Sequence, residues 1–303
     1  MNHLFQKTNA YWAKYSAYVY REGDDGNLYI MPAEKAPPTV YDPMEEAEVL
    51  VLDALNLGRL AMKRGEEAEL QSAIMQFVSK YGLLGFMSAI PTTPEFMDYE
   101  AVYLPKNHFI KEETMNTEDY MSLFFPFEKP DIQKDETGIK WNVSSNDSSD
   151  RRALALALAF ANAPMAVGIS SLPIYAERYD WLVTQFRDWA FMLVSVFLYY
   201  EDKDKVDEFT RDLYRQGVSA FGSKAPTYHV KLYGDKPTIV WDFYSLLLTI
   251  QTMFGFALTD KTKPLKVCRH CNMAFLAKHN NSTFCSPECK NQHNVNKSRG
   301  KKP

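Results

Sequence analysis

Four cysteines are the residues whose type and spacing point most directly to chemistry. Cys268, Cys271, Cys285 and Cys289 fall within 22 residues, as a C-x2-C pair and a C-x3-C pair separated by thirteen residues. A C-x2-C pair places two sulfur atoms on one side of a tight turn, and a second pair can complete a tetrahedron around zinc, with each sulfur about 2.3 Å from the metal. The spacing therefore predicts a Zn²⁺ site with these four cysteines as ligands.

A zinc ion held by four sulfur atoms has no open position for water, so the predicted site is structural and not catalytic. Three other uses of the cysteines fit the sequence less well. Disulfide bonds are disfavoured where thiols stay reduced, the familiar iron–sulfur spacings differ, and a redox C-x2-C motif would leave the second pair unexplained. His270, His279 and His293 are interpreted as polar surface residues. His293 could replace a cysteine ligand, but four cysteines make that unnecessary.

The residues around the cysteines predict a strand followed by a helix. Met273–Ala277 is long enough for a strand, Ser286 can cap a helix, and Pro287 suits its first position, so Cys289 would project from the first turn. A knuckle, a short hairpin and then a helix is the order of a treble clef.

The sequence FCSPEC followed by KNQHNVNKSRGKK resembles the C-terminal zinc fingers of bacterial CGNR-type proteins, with Cys289 and Asn291 matching in place. This resemblance covers about residues 265–303. It implies a transcription regulator with a separate N-terminal domain.

The charge of the chain is divided unevenly along its length. Residues 261–303 contain ten Lys/Arg and one acid, Glu288, which gives a net charge of +9, whereas residues 1–260 carry −13. The division predicts two parts: an acidic, mostly helical body over 1–260 and a basic four-cysteine zinc module over 261–303. We expect the body to fold without the module, so a chain ending at Asp260 should remain soluble and helical.

The basic segment after Cys289 predicts a helix to about Ser298 that can contact nucleic acid. Lys290, His293, Asn294 and Lys297 would share one face. Lys, Arg, Asn and Gln side chains suit phosphate groups and base edges. The alternatives are a solvated polar tail and docking onto the acidic body or an acidic partner. The predicted contacts to DNA or RNA are Lys290, Asn291, Gln292, His293, Asn294, Lys297, Arg299, Lys301 and Lys302.

The body has the composition of an ordinary globular chain, with 46 % hydrophobic and 24 % charged residues. Strands are predicted around a turn in 18–31, and a helical hairpin begins at Asp42-Pro43. Loops and short strands are predicted for 88–150, helices for 149–162, 174–200 and 205–217, and a hairpin over 227–243 leads into a helix to Leu258. The predicted fold class is mainly α with minor β (α+β), plus a small treble-clef-like zinc module.

Features that would place the chain in a membrane or identify an enzyme were not found. The N-terminus has no basic segment followed by an apolar run, so a cytoplasmic location is expected. Residues 153–167 and 189–200 are too interrupted or too short to span a bilayer. The motifs G-x-S-x-G, Walker A, G-x-G-x-x-G and H-E-x-x-H are not present. We therefore expect a protein that is not an enzyme.

Together these observations predict a zinc-finger protein that binds DNA or RNA in transcription or stress regulation. The helical body would supply sensing, contact with a protein partner, or a homodimer interface. The competing prediction is a non-enzymatic interaction component of a bacterial stress or phage-defence system, in which the zinc module only supports the fold.

Overall fold

The computed structural model describes residues 5, 7–63, 65–135, 138–141, 156, 159–160, 163–202, 206–222, 224–279 and 281–299. Asp42 caps the first helical segment, because its carboxylate accepts the Met44 N–H at 2.9 Å, and a 3₁₀ turn over Pro43–Glu46 leads directly into helix α1. The helices are α1 (Ala47–Met62), α2 (Glu67–Tyr81), α3 (Phe86–Ala89), α4 (Thr117–Ser122), α5 (Met165–Ile169), α6 (Tyr179–Asp202), α7 (Glu208–Ala220), α8 (Leu246–Thr259) and α9 (Pro287–Ser298).

In the described part of the chain the strands pair mostly as local antiparallel hairpins, and only the short β1 joins its neighbour β12 in parallel. The paired groups are β10–β4–β3, β1–β12–β11, β2–β5, β6–β7, β8–β9 and β13–β14. The strands are β1 (Thr8–Asn9), β2 (Trp12–Tyr15), β3 (Tyr18–Glu22), β4 (Leu28–Pro32), β5 (Pro38–Tyr41), β6 (Ala101–Tyr103), β7 (Thr114–Asn116), β8 (Ile132–Asp135), β9 (Gly138–Trp141), β10 (Glu177–Arg178), β11 (Thr227–Tyr233), β12 (Lys236–Asp242), β13 (Leu265–Val267) and β14 (Ala274–Leu276).

Helix accounts for 44 % of the structure and strand for 19 %, so a mixed α and β fold with helix predominating is confirmed. Helix α1 lies at the centre, packed against α6, α8 and α2. Gly58 permits the close approach of α1 and α6, because a Cβ atom at this position would overlap the backbone carbonyl of Phe186. The apolar face of α1 is therefore buried against α6. Another side of α1 contacts strand β14 of the C-terminal segment.

A buried carboxylate joins the turn before α3 to strand β10. Glu177 is fully buried and accepts hydrogen bonds from the backbone N–H groups of Leu84 (2.8 Å), Gly85 (2.6 Å) and Phe86 (3.0 Å), and from the Tyr175 hydroxyl (2.7 Å). Gly85 has a φ of 77°, a conformation that glycine adopts without strain. These contacts satisfy the free amides at the start of α3.

Several predicted elements are confirmed, and the bounds of two helices differ from the prediction. The strands around the 23–27 turn, the helical hairpin from Asp42 and the 227–242 hairpin leading into α8 all form. The helix predicted to begin at Ile174 begins instead at Tyr179, because Glu177 pairs with Ile30 as a strand residue and its side chain binds the α3 turn. The helix predicted for 205–217 spans Glu208–Ala220, because the Asp207 side chain caps its start. The helix predicted for 149–162 lies largely outside the described residues.

Of the helices in the described part of the chain, none combines the length and the apolar character that crossing a membrane requires.

Candidate metal centre

The first cysteine pair lies in the turn that connects β13 and β14. Cys268 directly follows β13, and its N–H donates to the Met273 carbonyl at 2.9 Å, while the Asn272 N–H donates to the Cys268 carbonyl at 2.9 Å. Asn272 has a φ of 59°, in the left-handed region that asparagine tolerates better than most residues. The chain therefore reverses within a few residues, with Cys268 and Cys271 on the same turn.

The second pair lies at the start of α9, as the sequence predicts. The Ser286 hydroxyl accepts the Cys289 N–H at 3.2 Å, and Pro287 occupies the first turn of the helix. This cap fixes Cys289 in the first helical turn while Cys285 precedes the cap. The helix start thereby turns both sulfur atoms toward the β13–β14 turn.

The four sulfur atoms converge on one point. They all lie within 4.8 Å of one another, with 3.6 Å between Cys271 Sγ and Cys285 Sγ and 3.4 Å between Cys285 Sγ and Cys289 Sγ. A sulfur tetrahedron with metal bonds of about 2.3 Å has edges of about 3.8 Å, close to these separations. The four cysteines could therefore hold a metal ion, and no histidine belongs to this group among the described residues.

The ionisation of the thiols favours a bound cation. Burial opposes ionisation of Cys268, but nearby backbone N–H groups, including those of Cys271 and Cys285, outweigh it and lower its pKa to about 6. Burial and the neighbouring sulfur atoms raise the pKa of Cys285 and of Cys271. Once the first thiolate forms, the others resist losing their protons unless positive charge enters the cluster. A metal ion supplies that charge.

Two histidines lie beside the cysteines and support the helix. The ring of His293 lies 5.1 Å from the Phe284 ring and 6.4 Å from the His270 ring, measured between centroids. The Nδ1 atoms of both histidines are buried. His293 thus lies on the side of α9 that faces the module. This differs from its predicted place on the exposed face, because the inward side of the helix also carries Cys289.

The other predicted nucleic-acid contacts on α9 do face solvent. Within the described residues, no ion pair engages Lys290, Lys297 or Arg299. Lys301 and Lys302 lie outside the described residues. The exposed side chains of this set are Lys290, Asn291, Gln292, Asn294, Lys297 and Arg299.

The module rests on helix α1. The side chain of Asn56 clamps the backbone of Ala274, accepting its N–H at 2.7 Å and donating to its carbonyl at 3.3 Å. Ala274 is buried in the main core. Lys263 adds an ion pair to Glu48, with 3.0 Å between Nζ and Oε1. The β13–β14 hairpin is therefore part of the core surface of the body and not a freely tethered unit.

A cleft of about 410 Å³ separates the cysteine turn from α1 and α2. Arg59 lies in this cleft, half-buried and close to Cys271. Burial lowers the pKa of Arg59, and the negative charge of an ionised Cys271 opposes that effect. Lys63 and Lys80 also line the cleft, and Lys80 is paired with Asp53 at 2.7 Å. The cleft is a positively charged surface next to the metal ligands.

Sequence reasoning missed Asn56, Arg59 and Phe284. Asn56 and Arg59 belong to a helix more than two hundred residues before the cysteines, so no local spacing connects them. A polar Asn between Leu55 and Leu57 of an apolar helix is the one signal that could have indicated a specific partner.

No family model matches this chain, and no curated protein or solved structure matches it either.

Proposed function

We propose that the four cysteines hold one structural zinc ion in a treble-clef-like module, and that this module binds nucleic acid through the exposed side of α9. Four thiolates in a tetrahedral set are the ligands that zinc prefers for structural sites. Bound zinc supplies no reaction step here. It fixes the β13–β14 turn against the start of α9 and so orients the basic helix.

The exposed α9 carries the proposal of nucleic-acid binding. The helix has no buried residues, and it presents Lys290, Lys297 and Arg299 beside the amide side chains of Asn291 and Asn294. Cations at helical spacing can contact phosphate groups, while amides can read base edges. The body has a net charge of −13 and the module a net charge of +9. The body therefore repels a polyanion, and the module attracts it. We extend the proposal to a transcription or stress regulator, in which the module would contact nucleic acid and the body would supply sensing or contact with a partner.

The packing of the module on α1 supports a second candidate. Asn56 and Ala274 join module and body by two hydrogen bonds, so the zinc site could serve mainly to complete the fold of a protein-interaction component. The two candidates differ in one measurable property. Only the first requires binding to nucleic acid that weakens steeply with salt.

Elemental analysis of the purified full-length protein tests the metal. We expect about one zinc per chain, and we expect Cys285→Ser to lower the zinc content because one of four ligands is lost. Met273→Ser is the matched control, since Met273 is an exposed residue of the same turn and not a ligand. Iron with inorganic sulfide, or disulfide-bonded cysteines without zinc, would overturn the zinc assignment.

Fluorescence anisotropy across a salt series tests nucleic-acid binding, with duplex DNA and single-stranded RNA as probes. If the protein neutralises four to six phosphates, a plot of the logarithm of the association constant against the logarithm of the salt concentration should have a slope of about −3.5 to −5.5 on duplex DNA. Replacing Lys290, Lys297 and Arg299 by Ala should flatten the slope by about 2 to 3, because each lost phosphate contact removes about 0.9.

The control for that variant removes the same charge from the body, with Ala in place of Lys106, Lys111 and Lys129. It should leave the slope unchanged. Changes at Asn291, Gln292 or Asn294 should alter base preference instead of salt dependence. Affinity no tighter than millimolar at low salt on both probes, with zinc bound, would favour the interaction-component candidate.

A further inference from the structure

The hairpin formed by β11 and β12 carries only apolar side chains on one of its faces. Residues paired directly across an antiparallel hairpin point to the same face, and alternate residues along each strand share it. The opposite face is different, because it contains His229, whose Nδ1 lies 2.7 Å from the carboxylate of the buried Asp242. The cross-strand pairs of the apolar face are Tyr228 with Trp241, Val230 with Ile239, and Leu232 with Pro237.

Most of this apolar face is open to solvent. The exposed fractions are 61 % for Tyr228, 62 % for Val230, 68 % for Leu232 and 49 % for Ile239. At the base of the hairpin the face is covered, since the Trp241 ring lies 5.4 Å from the ring of Phe5. The exposed patch therefore continues outward from packed core, along a hairpin that extends beyond it.

The exposed apolar side chains of this face form one contiguous patch, whereas apolar residues on a protein surface are ordinarily scattered singly. An aromatic side chain buries roughly 150–250 Å² when fully covered, and an aliphatic one roughly 60–120 Å², from 1.5–3 kcal/mol at about 25 cal/mol per Å². One tyrosine and three aliphatic side chains exposed by half to two-thirds therefore leave about 300 Å² uncovered. Apolar patches of roughly 300–600 Å² on a monomer are often functional. About 800 Å² per partner forms a standard interface, in which an apolar centre is surrounded by a polar rim. The patch has the area of such a centre.

We propose that this face packs against the same face of a second copy of the chain. A two-fold axis passing near Val230 and Ile239 would bring like faces together, as an isologous contact requires. The six side chains of the face include no charge, so two copies can approach despite the net charge of −13 on each body. Lys231 and Lys236 lie on the opposite face and Asp235 lies in the turn, so none of these charges enters the contact.

Two stacked β-hairpins with interdigitating side chains form a small sandwich core. An uncharged face of aliphatic and aromatic side chains selects an equally apolar partner and not nucleic acid. The dimer does not depend on zinc or on nucleic-acid binding, so its failure would leave the proposed function standing.

Sedimentation velocity of the full-length protein tests the dimer. Over about 0.1 to 100 µM, which includes the micromolar end of the affinities that standard-size interfaces have, the mass should rise from 34.9 kDa toward twice that value. Val230→Lys should keep the protein monomeric throughout, because it places a charge at the centre of the contact. Val19→Lys is the matched control, since Val19 is 42 % exposed on another hairpin, and it should dimerise as the wild type does.

A photo-crosslinking experiment tests the same contact without the Val230→Lys variant, in case that substitution disturbs folding. With benzoylphenylalanine in place of Tyr228, irradiation should join two copies through residues 228–241, and the circular dichroism should stay that of the wild type. A wild-type protein that is monomeric across the range overturns the proposal. Three other results would also overturn the proposal. These are full dimerisation of the Val230→Lys protein, a crosslink to other surfaces, and a monomer that instead binds neutral phosphatidylcholine vesicles through this hairpin.

Discussion

At the residue scale, Glu177 shows how one side chain can fix two separate segments. All four of its partners donate to it: the three backbone N–H groups of Leu84, Gly85 and Phe86, and the hydroxyl of Tyr175. A carboxylate, which only accepts, fits this set of donors. The contact lies in the interior, where an unsatisfied backbone amide is costly.

Glu177→Gln should therefore destabilise the protein by about 1–3 kcal/mol, because the amide NH₂ must face at least one N–H donor and leave it unsatisfied. Urea unfolding followed by circular dichroism measures the change. Glu67→Gln is the control, since Glu67 also accepts a tyrosine hydroxyl, that of Tyr179 at 2.6 Å, but at an exposed position. Equal unfolding free energies for both variants would contradict this interpretation.

The cysteine positions could be predicted from the sequence, because both pairs and their cap lie within one short segment. The residues that support the site could not. Asn56 contacts Ala274 across a separation of 218 residues, and such a pairing depends on how α1 packs. The histidines illustrate the same limit: spacing placed His293 on the outer face of α9, whereas its contact with Phe284 turns it inward.

At the scale of elements, the β13–β14 hairpin packs the zinc module against the helical body. Leu265 and Leu276 pair across the hairpin and line one small cavity together with Val51 of α1 and Met253 of α8, and Leu265 also packs against the main core. The charge division along the sequence led us to expect a body that folds without the module. Charge patterns report on surfaces, however, and do not reveal an apolar contact made by two short strands.

A chain ending at Asp260 should stay folded but lose about 2–4 kcal/mol of stability. The estimate assumes that covering Leu265 and Leu276 recovers part of the roughly 1.5–3 kcal/mol that full burial of each would give. Removal also leaves the side chain of Asn56 without its partners on Ala274.

Urea unfolding of the shortened and full-length chains measures this loss. A chain ending at Arg299 is the control, because it retains β13, β14 and α9. If the chain ending at Asp260 is as stable as the full-length protein, the module contributes nothing to the stability of the body. If that chain does not fold at all, the prediction from the sequence that the body folds without the module is wrong.

Elements with strong local signals were the predictable ones. The cap at Asp42, the turn at 23–27 and the cap at Ser286 all form where the sequence places them. The start of α6 was displaced to Tyr179 because a tertiary contact, the burial of Glu177, outweighed helical periodicity. Local chemistry determined these caps and turns, and packing determined that boundary.

At the scale of the whole molecule, the aromatic composition has a consequence for stability. The chain contains 18 tyrosines, and several phenols are buried with hydrogen bonds inside the core. Tyr15 donates to the Ser171 carbonyl at 2.7 Å, and Tyr18 accepts the Tyr15 N–H at 2.9 Å. Tyr120 donates to the Met87 carbonyl at 3.1 Å. The donated hydrogen bonds of Tyr15 and Tyr120 require the neutral phenol. The Tyr18 oxygen accepts instead, a contact that by itself lowers its pKa, and burial outweighs that effect.

Burial raises the pKa of Tyr15, Tyr18, Tyr120 and Tyr175 above the ordinary value of 10.0. A group whose pKa is higher in the folded state stabilises the fold fully below the unfolded pKa, and this stabilisation is lost as pH rises above it. Each such phenol removes about 1.4 kcal/mol per pH unit above pH 10. Four of them together remove about 5.5 kcal/mol per pH unit, against a total stability of about 5–15 kcal/mol.

The protein should therefore unfold cooperatively within about one to three pH units above 10, since the unfolded chain alone can ionise these phenols readily. Absorbance of tyrosinate at 295 nm and far-ultraviolet circular dichroism, recorded together from neutral to strongly alkaline pH, measure the two events. The late rise in tyrosinate absorbance should coincide with loss of the helical signal. Tyr18→Phe removes one of these phenols and should move the transition to higher pH, if the fold is retained at neutral pH. Complete ionisation of the tyrosines with an intact helical signal would show that these phenols reach solvent in the native state.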